Sequence, residues 1–415
     1  KKQTKKMTSY KRLGDYIQKV DNRNKNLSVN RLLGLSMTKE FRETTSNIVG
    51  TDMSVYKVMS KYQFACDFMS PIRVNKLPVV LKLDDTQNLV SPAYPVFEVK
   101  DRNQLDPEYL MMWFRRTEFD RYATFKCDAA IRGGFDWEEM CNVELPVPSI
   151  EKQRKIVTEY NAVQKKIDLN NQLIQKLEKM AQAIYRKWFV DFEFPNEEGK
   201  PYKSSGEEMV WNEELGKEIP KGWKVGKLGD VLYCNPETLS SKDNFKIILY
   251  LDTSSITNNK INELQELNLE FDEIPSRARR KVKSDDIIYS TVRPALRHYG
   301  IIKNLPENLI VSTGFAVFRV KDINLFPELV YSFLTDDKTV NYLQAKAEMS
   351  VSTYPSVTSI DIMNLYFAIP DYRVLDIARD IFKSKDDFIN IKNKENQKLM
   401  ELKELLLSKL AVVEN

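Results

Sequence analysis

Residues that bind nucleotides or cofactors are scarce in this sequence. Only 13 of its 415 residues are glycine, and it contains no G-x-x-x-x-G-K-[ST] loop and no glycine-rich turn for a nucleotide or an adenosyl cofactor. The catalytic tetrapeptide Asn/Asp-Pro-Pro-aromatic is also missing. Its nearest match, Asn235-Pro236-Glu237-Thr238, lacks the second proline and the aromatic residue. We therefore expect a chain that binds no cofactor and catalyses no reaction by itself.

Cysteine and histidine are equally rare. The four cysteines, Cys66, Cys127, Cys141 and Cys234, show no C-x-x-C spacing, so the sequence predicts neither a zinc site nor a set of disulfides. His298 is the single histidine. No serine or cysteine partner for it can be identified, which favours a contact residue over a catalytic base. We expect no metal site.

The sequence has no long apolar run and little net charge. No stretch approaches the 18 or so uncharged apolar residues of a membrane span, and the lysine-rich residues 1–8 are not followed by an apolar signal segment. We expect a cytoplasmic protein. The net charge of +4 does not by itself identify a nucleic-acid partner. A chain of 415 residues is too long for one core and predicts at least two domains.

Heptad patterns predict two long helices. Over residues 150–190, apolar residues recur at alternating steps of four and three, with one polar member: Ile156, Tyr160, Val163, Ile167, Asn170, Ile174, Leu177, Ala181, Ile184 and Trp188. The second pattern is interrupted by Lys385 and Lys392 and comprises Ala378, Ile381, Phe388, Leu399, Leu402, Leu406 and Leu410. We expect the helices to pair antiparallel within the chain, with Asn170 fixing the register. Two ordinary amphipathic helices in separate cores are the alternative.

The sequence before each helix is duplicated. Arg12-Leu13-Gly14-Asp15 recurs in the second half of the chain as Lys227-Leu228-Gly229-Asp230. The strongest match keeps the same spacing throughout: Val90, Ser91, Val96, Phe97, Val99, Lys100 and Asp101 recur as Val311, Ser312, Val317, Phe318, Val320, Lys321 and Asp322. Further on, Leu145-Pro146-Val147-Pro148 matches Phe367-Ala368-Ile369-Pro370, and a long helix follows each copy.

These patterns predict an α+β fold. We expect two similar mixed α/β units, separated by two long antiparallel coiled-coil helices and related by a pseudo-two-fold internal repeat. The expected boundaries are 1–149 for the first unit, 150–194 for the central helix, 195–222 for a linker, 223–370 for the second unit and 371–415 for the C-terminal helix. A duplicated module at a fixed separation suits a ligand with two half-sites, such as double-stranded DNA.

Basic residues are candidate DNA contacts in both units. In the second unit they cluster together with His298 and Tyr299: Arg277, Arg279, Arg280, Lys281, Lys283, Arg293 and Arg297. In the first unit they are scattered: Lys39, Arg42, Arg73, Lys126 and Arg132. The loop at 130–135, with its paired glycines, matches 350–354 in position, where Ser352 and Thr353 are further candidates. A solvated basic surface and simple turns are the alternatives.

The end of the first long helix is rich in aromatic residues. Trp188, Phe189, Phe192 and Phe194 offer more aromatic area than a solvent-facing helix end should carry, so we expect a partner-binding surface there. The alternative is that they pack against the second unit of the same chain.

In its longer motifs the sequence resembles the DNA specificity subunits of type I restriction–modification systems, and the resemblance covers nearly the whole chain. Besides the duplicated plan, it rests on these stretches: Leu145-Pro146-Val147-Pro148 continued by Glu151-Lys152-Gln153-Arg154-Lys155-Ile156, Trp188-Phe189-Val190-Asp191-Phe192-Glu193-Phe194-Pro195, Gly199-Lys200-Pro201-Tyr202-Lys203 and Ile219-Pro220-Lys221-Gly222-Trp223.

The resemblance implies two target-recognition domains that each read one half of a bipartite DNA sequence, and long helices that act as a ruler. It also implies two methyltransferase (modification) subunits docked on the helices, which methylate adenine at N6 with S-adenosylmethionine. Restriction (motor-nuclease) subunits would join for cleavage with ATP and magnesium. These cofactors are expected on the partner subunits and none on this chain. The alternatives are a coiled-coil adaptor that binds proteins and a nuclease with an unrecognised metal site.

Overall fold

The structure is a computed structural model that describes residues 10–44, 50–128, 135–240, 242–303, 306–321, 325–350 and 354–412. The chain divides into two compact units: Lys1–Asn171 with Asn393–Asn415, and Gln172–Lys392. Helices and strands both contribute to each unit, so the predicted α+β fold with long helices is confirmed. In these ranges, none of the helices combines the length and the apolar character that crossing a membrane requires.

The first unit is built around an antiparallel sheet. Its strands are β1 Tyr10–Arg12, β2 Ile17–Val20, β3 Leu33–Leu35, β4 Phe41–Glu43, β5 Lys57–Met59, β6 Gln63–Cys66, β7 Val79–Leu81, β8 Asn88–Val90, β9 Val96–Val99 and β10 Glu144–Pro146. Its helices are α1 Pro71–Val74, α2 Pro107–Phe114, α3 Thr117–Asp128, α4 Trp137–Asn142 and the first part of α5 Ile150–Tyr185. The sheet has the order β2-β9-β6-β7, and β1 pairs with β10, β3 with β4 and β5 with β8.

The second unit repeats this sheet and adds another. Its strands are β11 Met209–Asn212, β12 Lys217–Pro220, β13 Lys224–Lys227, β14 Leu232–Cys234, β15 Ile247–Leu251, β16 Ile256–Thr257, β17 Lys260–Ile261, β18 Gln265–Asn268, β19 Ala278–Lys281, β20 Ile287–Ser290, β21 Tyr299–Ile301, β22 Leu309–Ser312, β23 Phe315–Val320 and β24 Tyr366–Ile369. Its helices are α6 Leu228–Val231, α7 Pro327–Thr335, α8 Asp337–Glu348, α9 Ser359–Met363 and most of α10 Tyr372–Lys409. One sheet has the order β14-β23-β20-β21 and the other β18-β15-β22-β19; β11 pairs with β12, β13 with β24 and β16 with β17.

The duplicated sequence produces the same strand pairing twice. In the first unit Ile17 lies opposite Val99, and in the second unit Leu232 lies opposite Val320. The two pairs are related by the same steps along the sequence that relate the repeated motifs. The two copies therefore share the register of their strands as well as their sequence.

The glycine of the repeated Leu-Gly-Asp motif allows a close approach in each unit. A Cβ atom on Gly14 would lie 2.8 Å from the Cβ atom of Cys141, at the end of α4. A Cβ atom on Gly229 would lie 3.3 Å from the carbonyl oxygen of Met363, at the end of α9. A larger residue would push the short helix away from the motif.

The lysine that occurs in both copies, Lys100 and Lys321, hydrogen-bonds to the glycine of the Leu-Gly-Asp motif in its own unit. The Nζ atom of Lys100 donates to the carbonyl oxygen of Gly14 at 2.9 Å, and that of Lys321 donates to the carbonyl oxygen of Gly229 at 2.9 Å. Each lysine therefore ties the end of the repeated strand to the start of its unit.

Both long helices contribute to both units. In the first unit they run antiparallel, since Lys403 lies over the ring of Tyr160, at 5.3 Å from its centroid, whereas Asn170 contacts Asn396. The Nδ2 atom of Asn170 donates to Oδ1 of Asn396 at 2.9 Å, and Nδ2 of Asn396 donates to Oδ1 of Asn171 at 3.0 Å. Asn170 and Asn396 are buried. The polar partner expected for Asn170 is therefore present.

The seam of α10 differs from the predicted one. Three predicted members are exposed: Ile381, Phe388 and Leu402. Half-buried lysines belong to the seam instead. Lys403 covers Tyr160 of α5. Burial raises the pKa of Glu178 of α5, and Lys385 lies close enough to that carboxyl for its charge to act to lower the pKa. The aliphatic part of a lysine can cover apolar surface while its ammonium group reaches water. Lys385, which the sequence pattern treats as an interruption, is thus part of the contact.

Asn396→Ala is expected to destabilise the first unit. It would leave the buried amide of Asn170 without its acceptor, and an unsatisfied buried donor costs about 1–3 kcal/mol of unfolding free energy. Urea denaturation followed by circular dichroism measures this loss. Asn170→Leu combined with Asn396→Leu removes both polar groups and should recover most of it. A double variant as unstable as the single one would contradict this account.

Candidate nucleic-acid interface

Several predicted cations of the second unit are paired with carboxylates of the same unit. The Nη2 atom of Arg297 lies 2.7 Å from Oδ1 of Asp337, and this hydrogen bond raises the pKa of Arg297. The other pairs are Lys281 with Asp243 and Lys283 with Glu237. These residues neutralise charge within the unit.

The two ring-bearing candidates, His298 and Tyr299, support the fold. Tyr299 is buried and stacks on Tyr289, with 5.4 Å between the ring centroids, and burial raises the pKa of Tyr299. His298 is half-buried, and its Nδ1 atom lies 2.6 Å from the carbonyl oxygen of Ile256. Both side chains are occupied by contacts inside the second unit.

Three predicted arginines remain at the surface. Arg277, Arg279 and Arg293 are exposed, and in the described ranges no carboxylate lies within ion-pairing distance of any of them. Arg280 is half-buried, and its Nε atom is buried without a partner among the described residues. The exposed three are the strongest of the predicted candidates for contacts with phosphates or bases.

Several short segments of the second unit meet beside Arg277 and Arg293. We call the following residues the loop surface: 252–255, Arg277, 291–293, 312–314 and 354–357. Backbone hydrogen bonds join them: Thr313 N to Arg277 O at 2.8 Å, Thr291 N to Gly314 O at 3.0 Å, Val357 N to Thr291 O at 2.9 Å and Arg293 N to Pro355 O at 2.9 Å. A Cβ atom on Gly314 would lie 2.8 Å from Cγ2 of Thr253, so glycine is needed for this approach.

The loop surface carries hydroxyl groups and a carboxylate. The exposed or half-buried hydroxyls belong to Thr253, Ser254, Ser255, Thr291 and Thr313. Asp252 accepts hydrogen bonds from Tyr250 and Ser254, each at 3.1 Å. Burial acts to raise the pKa of Asp252, but these hydrogen bonds, together with those from the backbone of Thr253 and Ser254, outweigh it and the pKa is lowered. An ionised carboxylate and hydroxyls can recognise base edges, in particular the amino group of cytosine.

In the first unit, Lys39 lies inside the protein. Its Nζ atom lies 2.8 Å from Oδ1 of Asp120 and also donates to the carbonyl oxygen of Phe114. Burial lowers the pKa of Lys39, although Asp120 acts to raise it. Its ammonium group is therefore not part of an exposed surface. Arg42 is exposed, and its Nε atom donates to the carbonyl oxygen of Leu35 at 3.2 Å.

The other first-unit candidates do not form a described surface. Lys126 pairs with Glu139 at 2.9 Å, and this hydrogen bond raises the pKa of Lys126. Arg73 lies in α1, but its side chain is outside the described structure. Arg132, Ser352 and Thr353, and with them the paired-glycine loop, lie outside the described residues.

The aromatic cluster at the end of α5 belongs to the core of the second unit. Phe189, Phe192 and Phe194 are buried, and Trp188 is half-buried. The ring of Trp223 covers the cluster, with its centroid 5.4 Å from that of Phe192 and 5.2 Å from that of Phe194. This corrects the expectation of a partner-binding surface at these residues. The prediction failed because the periodicity of a helix cannot reveal a contact with Trp223, which follows the hairpin β11–β12 in the sequence.

The turn at 312–314 is absent from the predicted DNA contacts, and Tyr354 enters the prediction only as the last residue of the loop 350–354. A signal for the turn was present in the repeat. Between the identical pairs Ser91/Ser312 and Val96/Val317, the copies differ as Pro92-Ala93-Tyr94-Pro95 and Thr313-Gly314-Phe315-Ala316. We call the four-stranded sheet that both units share, β2-β9-β6-β7 and β14-β23-β20-β21, the frame. If its two copies contact different ligands, the positions at which their sequences differ are the first candidates for those contacts. No group of three or more His, Cys, Asp or Glu side chains suited to a metal occurs in the described part of the chain.

Comparisons with known proteins match this chain to one family. The family model described as type I restriction modification DNA specificity domain matches residues 220–402. Over 187 residues the chain is 28% identical to the type I restriction enzyme HindI specificity subunit of Haemophilus influenzae, covering 44% of this chain and 39% of that protein. Over 130 residues it is 38% identical to the type I restriction enzyme MjaIX specificity subunit of Methanocaldococcus jannaschii, covering 30% of this chain and 27% of that protein. The matches thus span well under half the length of these two relatives.

A solved structure shares the fold. The crystal structure of a type I restriction–modification system S subunit from M. genitalium aligns with a TM-score of 0.52 over 100% of this chain and 99% of that chain. The sequence identity is 12%, so this likeness concerns the fold alone.

Phe194→Ala is expected to lower the unfolding free energy of the isolated chain by about 3–5 kcal/mol, because it empties a fully buried aromatic position. Thermal or urea denaturation measures the change. Trp211→Ala, at an exposed aromatic residue of the nearby hairpin, is the control and should change stability by no more than about 0.5 kcal/mol. If both variants change the unfolding free energy equally little, the aromatic cluster is not buried and the predicted partner-binding surface would stand.

Proposed function

Because this chain belongs to the family of type I restriction–modification DNA specificity subunits, as its motifs predict, we propose that it is the DNA-reading subunit of such a complex. Each unit reads one half of a bipartite target in double-stranded DNA. The observation that carries this proposal is the duplication of the frame with the same strand register in both units. In the second unit, the loop surface with its arginines that lack carboxylate partners adjoins this frame.

The chemistry of the loop surface supports DNA as the ligand. Arginines without internal carboxylate partners can neutralise phosphates, and their release of counterions makes binding dependent on salt. Hydroxyl groups and an ionised aspartate can hydrogen-bond to base edges in the major groove. In this proposal Arg277 and Arg279 position the DNA through its backbone.

The long helices are proposed to set the separation of the two half-sites. Support comes from the contribution of α5 and α10 to both units and from the buried Asn170–Asn396 layer, which fixes how the helices pair. A helix of 36 residues is about 54 Å long, so it can bridge more than one turn of B-DNA.

The same helices are proposed to bind two methyltransferase subunits. A stripe of exposed apolar residues runs along the second-unit part of α10: Ile377, Ile381, Phe388 and Ile391. Exposed apolar area of this kind marks a protein-binding surface. The methyltransferase subunits bring S-adenosylmethionine for N6 methylation of adenine, and restriction subunits bring the ATP- and magnesium-dependent cleavage. The chain itself has no catalytic role in this proposal.

The same stripe also supports a second candidate, a coiled-coil adaptor that binds proteins without reading DNA. The two candidates differ in what the exposed arginines do. An adaptor would keep its partners and its affinity for DNA unchanged when Arg277 and Arg279 are both replaced by alanine. A DNA reader would lose affinity, and the dependence of its affinity on salt would become weaker.

Sequencing of methylated bases in host DNA, with and without this gene and with its neighbours intact, tests the proposal directly. We expect a bipartite motif containing N6-methyladenine to disappear when the gene is deleted. A variant that lacks residues 171–177 and 389–395, one heptad of each helix, should shorten the gap between the half-motifs. Seven residues correspond to about 10 Å, or about three base pairs. A gap of unchanged length between two methylated half-motifs would exclude the ruler.

Phe388→Asp combined with Ile391→Asp is expected to weaken binding of the methyltransferase subunit at least tenfold, roughly the loss of one buried aromatic contact. Titration calorimetry of the purified subunits measures the dissociation constant. Phe271→Asp is the matched control, since Phe271 is a highly exposed phenylalanine of the second unit away from α10. If the double variant binds as tightly as the control, the stripe is not the docking surface.

A further inference from the structure

Arg293 has an unusual backbone for its residue type. Its φ and ψ angles are 48° and 67°, in the left-handed region, which residues with a Cβ atom rarely adopt. Hydrogen bonds hold it there: its N–H donates to the carbonyl oxygen of Pro355, and its own carbonyl accepts from the N–H of Leu296, both at 2.9 Å. Strained residues of this kind cluster at functional sites, because a surrounding structure must maintain them.

The guanidinium group of Arg293 lies over an aromatic ring. Its central carbon is 5.2 Å from the ring centroid of Tyr354, and Tyr354 is itself 59% exposed. Contact with the face of a ring limits the positions of the planar guanidinium group and leaves N–H donors available. By contrast, Arg297 and Arg319 of the same unit are bound to carboxylates. The arrangement therefore preorganises a bidentate donor at the surface.

The first unit shows what the shared frame needs at this position. Ala65 lies opposite Val96 and Ile288 opposite Val317, so Ala65 and Ile288 occupy equivalent places in the two sheets. Ser70 lies as many residues after Ala65 as Arg293 lies after Ile288, and a proline follows each of them. Ser70 is therefore the equivalent of Arg293 in the first unit.

Ser70 is only 6% exposed, and its φ angle is an ordinary −72°. The backbone around the position is nevertheless shared, since Phe135 N donates to the carbonyl oxygen of Phe68 as Val357 N donates to that of Thr291. An exposed, strained arginine is therefore not required by the fold. It is specific to the second copy.

We propose that Arg293, held over the ring of Tyr354, reads a guanine in the half-site bound by the second unit. This assignment rests on the proposed DNA-reading function. Guanine presents O6 and N7 as two adjacent acceptors in the major groove, and a planar guanidinium group matches them with two parallel N–H donors. The loop surface around Arg293 fixes its position through short hydrogen-bonded segments, and the turn Pro294–Leu296 is anchored on α8 by a bond from Ala295 N to Oε1 of Gln344 at 3.0 Å. Tyr354 is a positioning residue that acts through Arg293.

The test compares variants of the whole complex in two ways: methylated-base sequencing in the host, and binding of the purified complex to targets that differ at single base pairs. Arg293→Lys keeps the charge but loses the bidentate geometry. We expect it to reduce discrimination at one G·C pair of one half-motif by about 5- to 150-fold, while the other half-motif stays unchanged. Tyr354→Phe should leave the motif intact, and Tyr354→Ala should relax the same base pair.

Arg279→Ala is the matched control, because it removes an exposed arginine of the same unit that lies outside the loop surface. It should weaken binding to all sequences evenly and reduce the salt slope by about 1. If Arg293→Lys preserves discrimination, or Arg293→Ala behaves like the control, Arg293 is a phosphate contact and the assignment is wrong. A wild-type motif without guanine in either half would also overturn it. Failure of the DNA-reading function itself would be seen separately, as no methylated motif that depends on the wild-type gene.

Discussion

Each unit depends on one strand pairing. The strand after the Leu-Gly-Asp motif pairs with the strand of the repeated sequence, as β2 with β9 in the first unit and β14 with β23 in the second. This pairing places Ile17 opposite Val99 and Leu232 opposite Val320. Because a shift of one residue would turn every side chain of the strand to the other face, the register decides which residues form the core. The lysine that ends the repeated strand then returns to the glycine of the motif. The loops at the end of this frame are free to vary, because the frame does not depend on them.

Charge is distributed unequally over the second unit. Its basic segment looks like one patch in the sequence, yet carboxylates of the same unit take up much of it. Arg319 illustrates the rule, since it bonds to the fully buried Asp286 and to Glu237. Removal of such a partner would leave a buried charge without compensation. Within the basic segment, Arg277 and Arg293 stay exposed and lie beside the hydroxyl groups of the loop surface, a composition suited to recognition of a polar ligand.

The features that depend on local pattern could be predicted from the sequence, and those that depend on distant contacts could not. The two long helices follow from heptads, and the duplicated frame follows from the repeated motifs. Asn170 was recognisable because it is polar in an apolar seam. Lys39 was not recognisable as a core residue, since its partner Asp120 is distant in sequence. Phe192 and Phe194 resemble a surface until Trp223 is brought onto them by the chain between. Arg293 could be chosen as a cation, but its backbone strain and its contact with Tyr354 exist only in the fold.

The first unit is discontinuous in sequence, and this decides when each unit can fold during synthesis. Its core includes Leu407 and Leu410, which are synthesised after the whole of the second unit, and the bond between Asn170 and Asn396 spans 226 residues. The second unit, Gln172–Lys392, is one continuous segment. The first unit therefore cannot complete its core before the second unit has been synthesised, in contrast to the common order in which the N-terminal domain folds first. The second unit can fold while the first still lacks the part of α10 that completes its core, so a chain interrupted between Lys392 and Leu407 would carry a folded second unit and an incomplete first one.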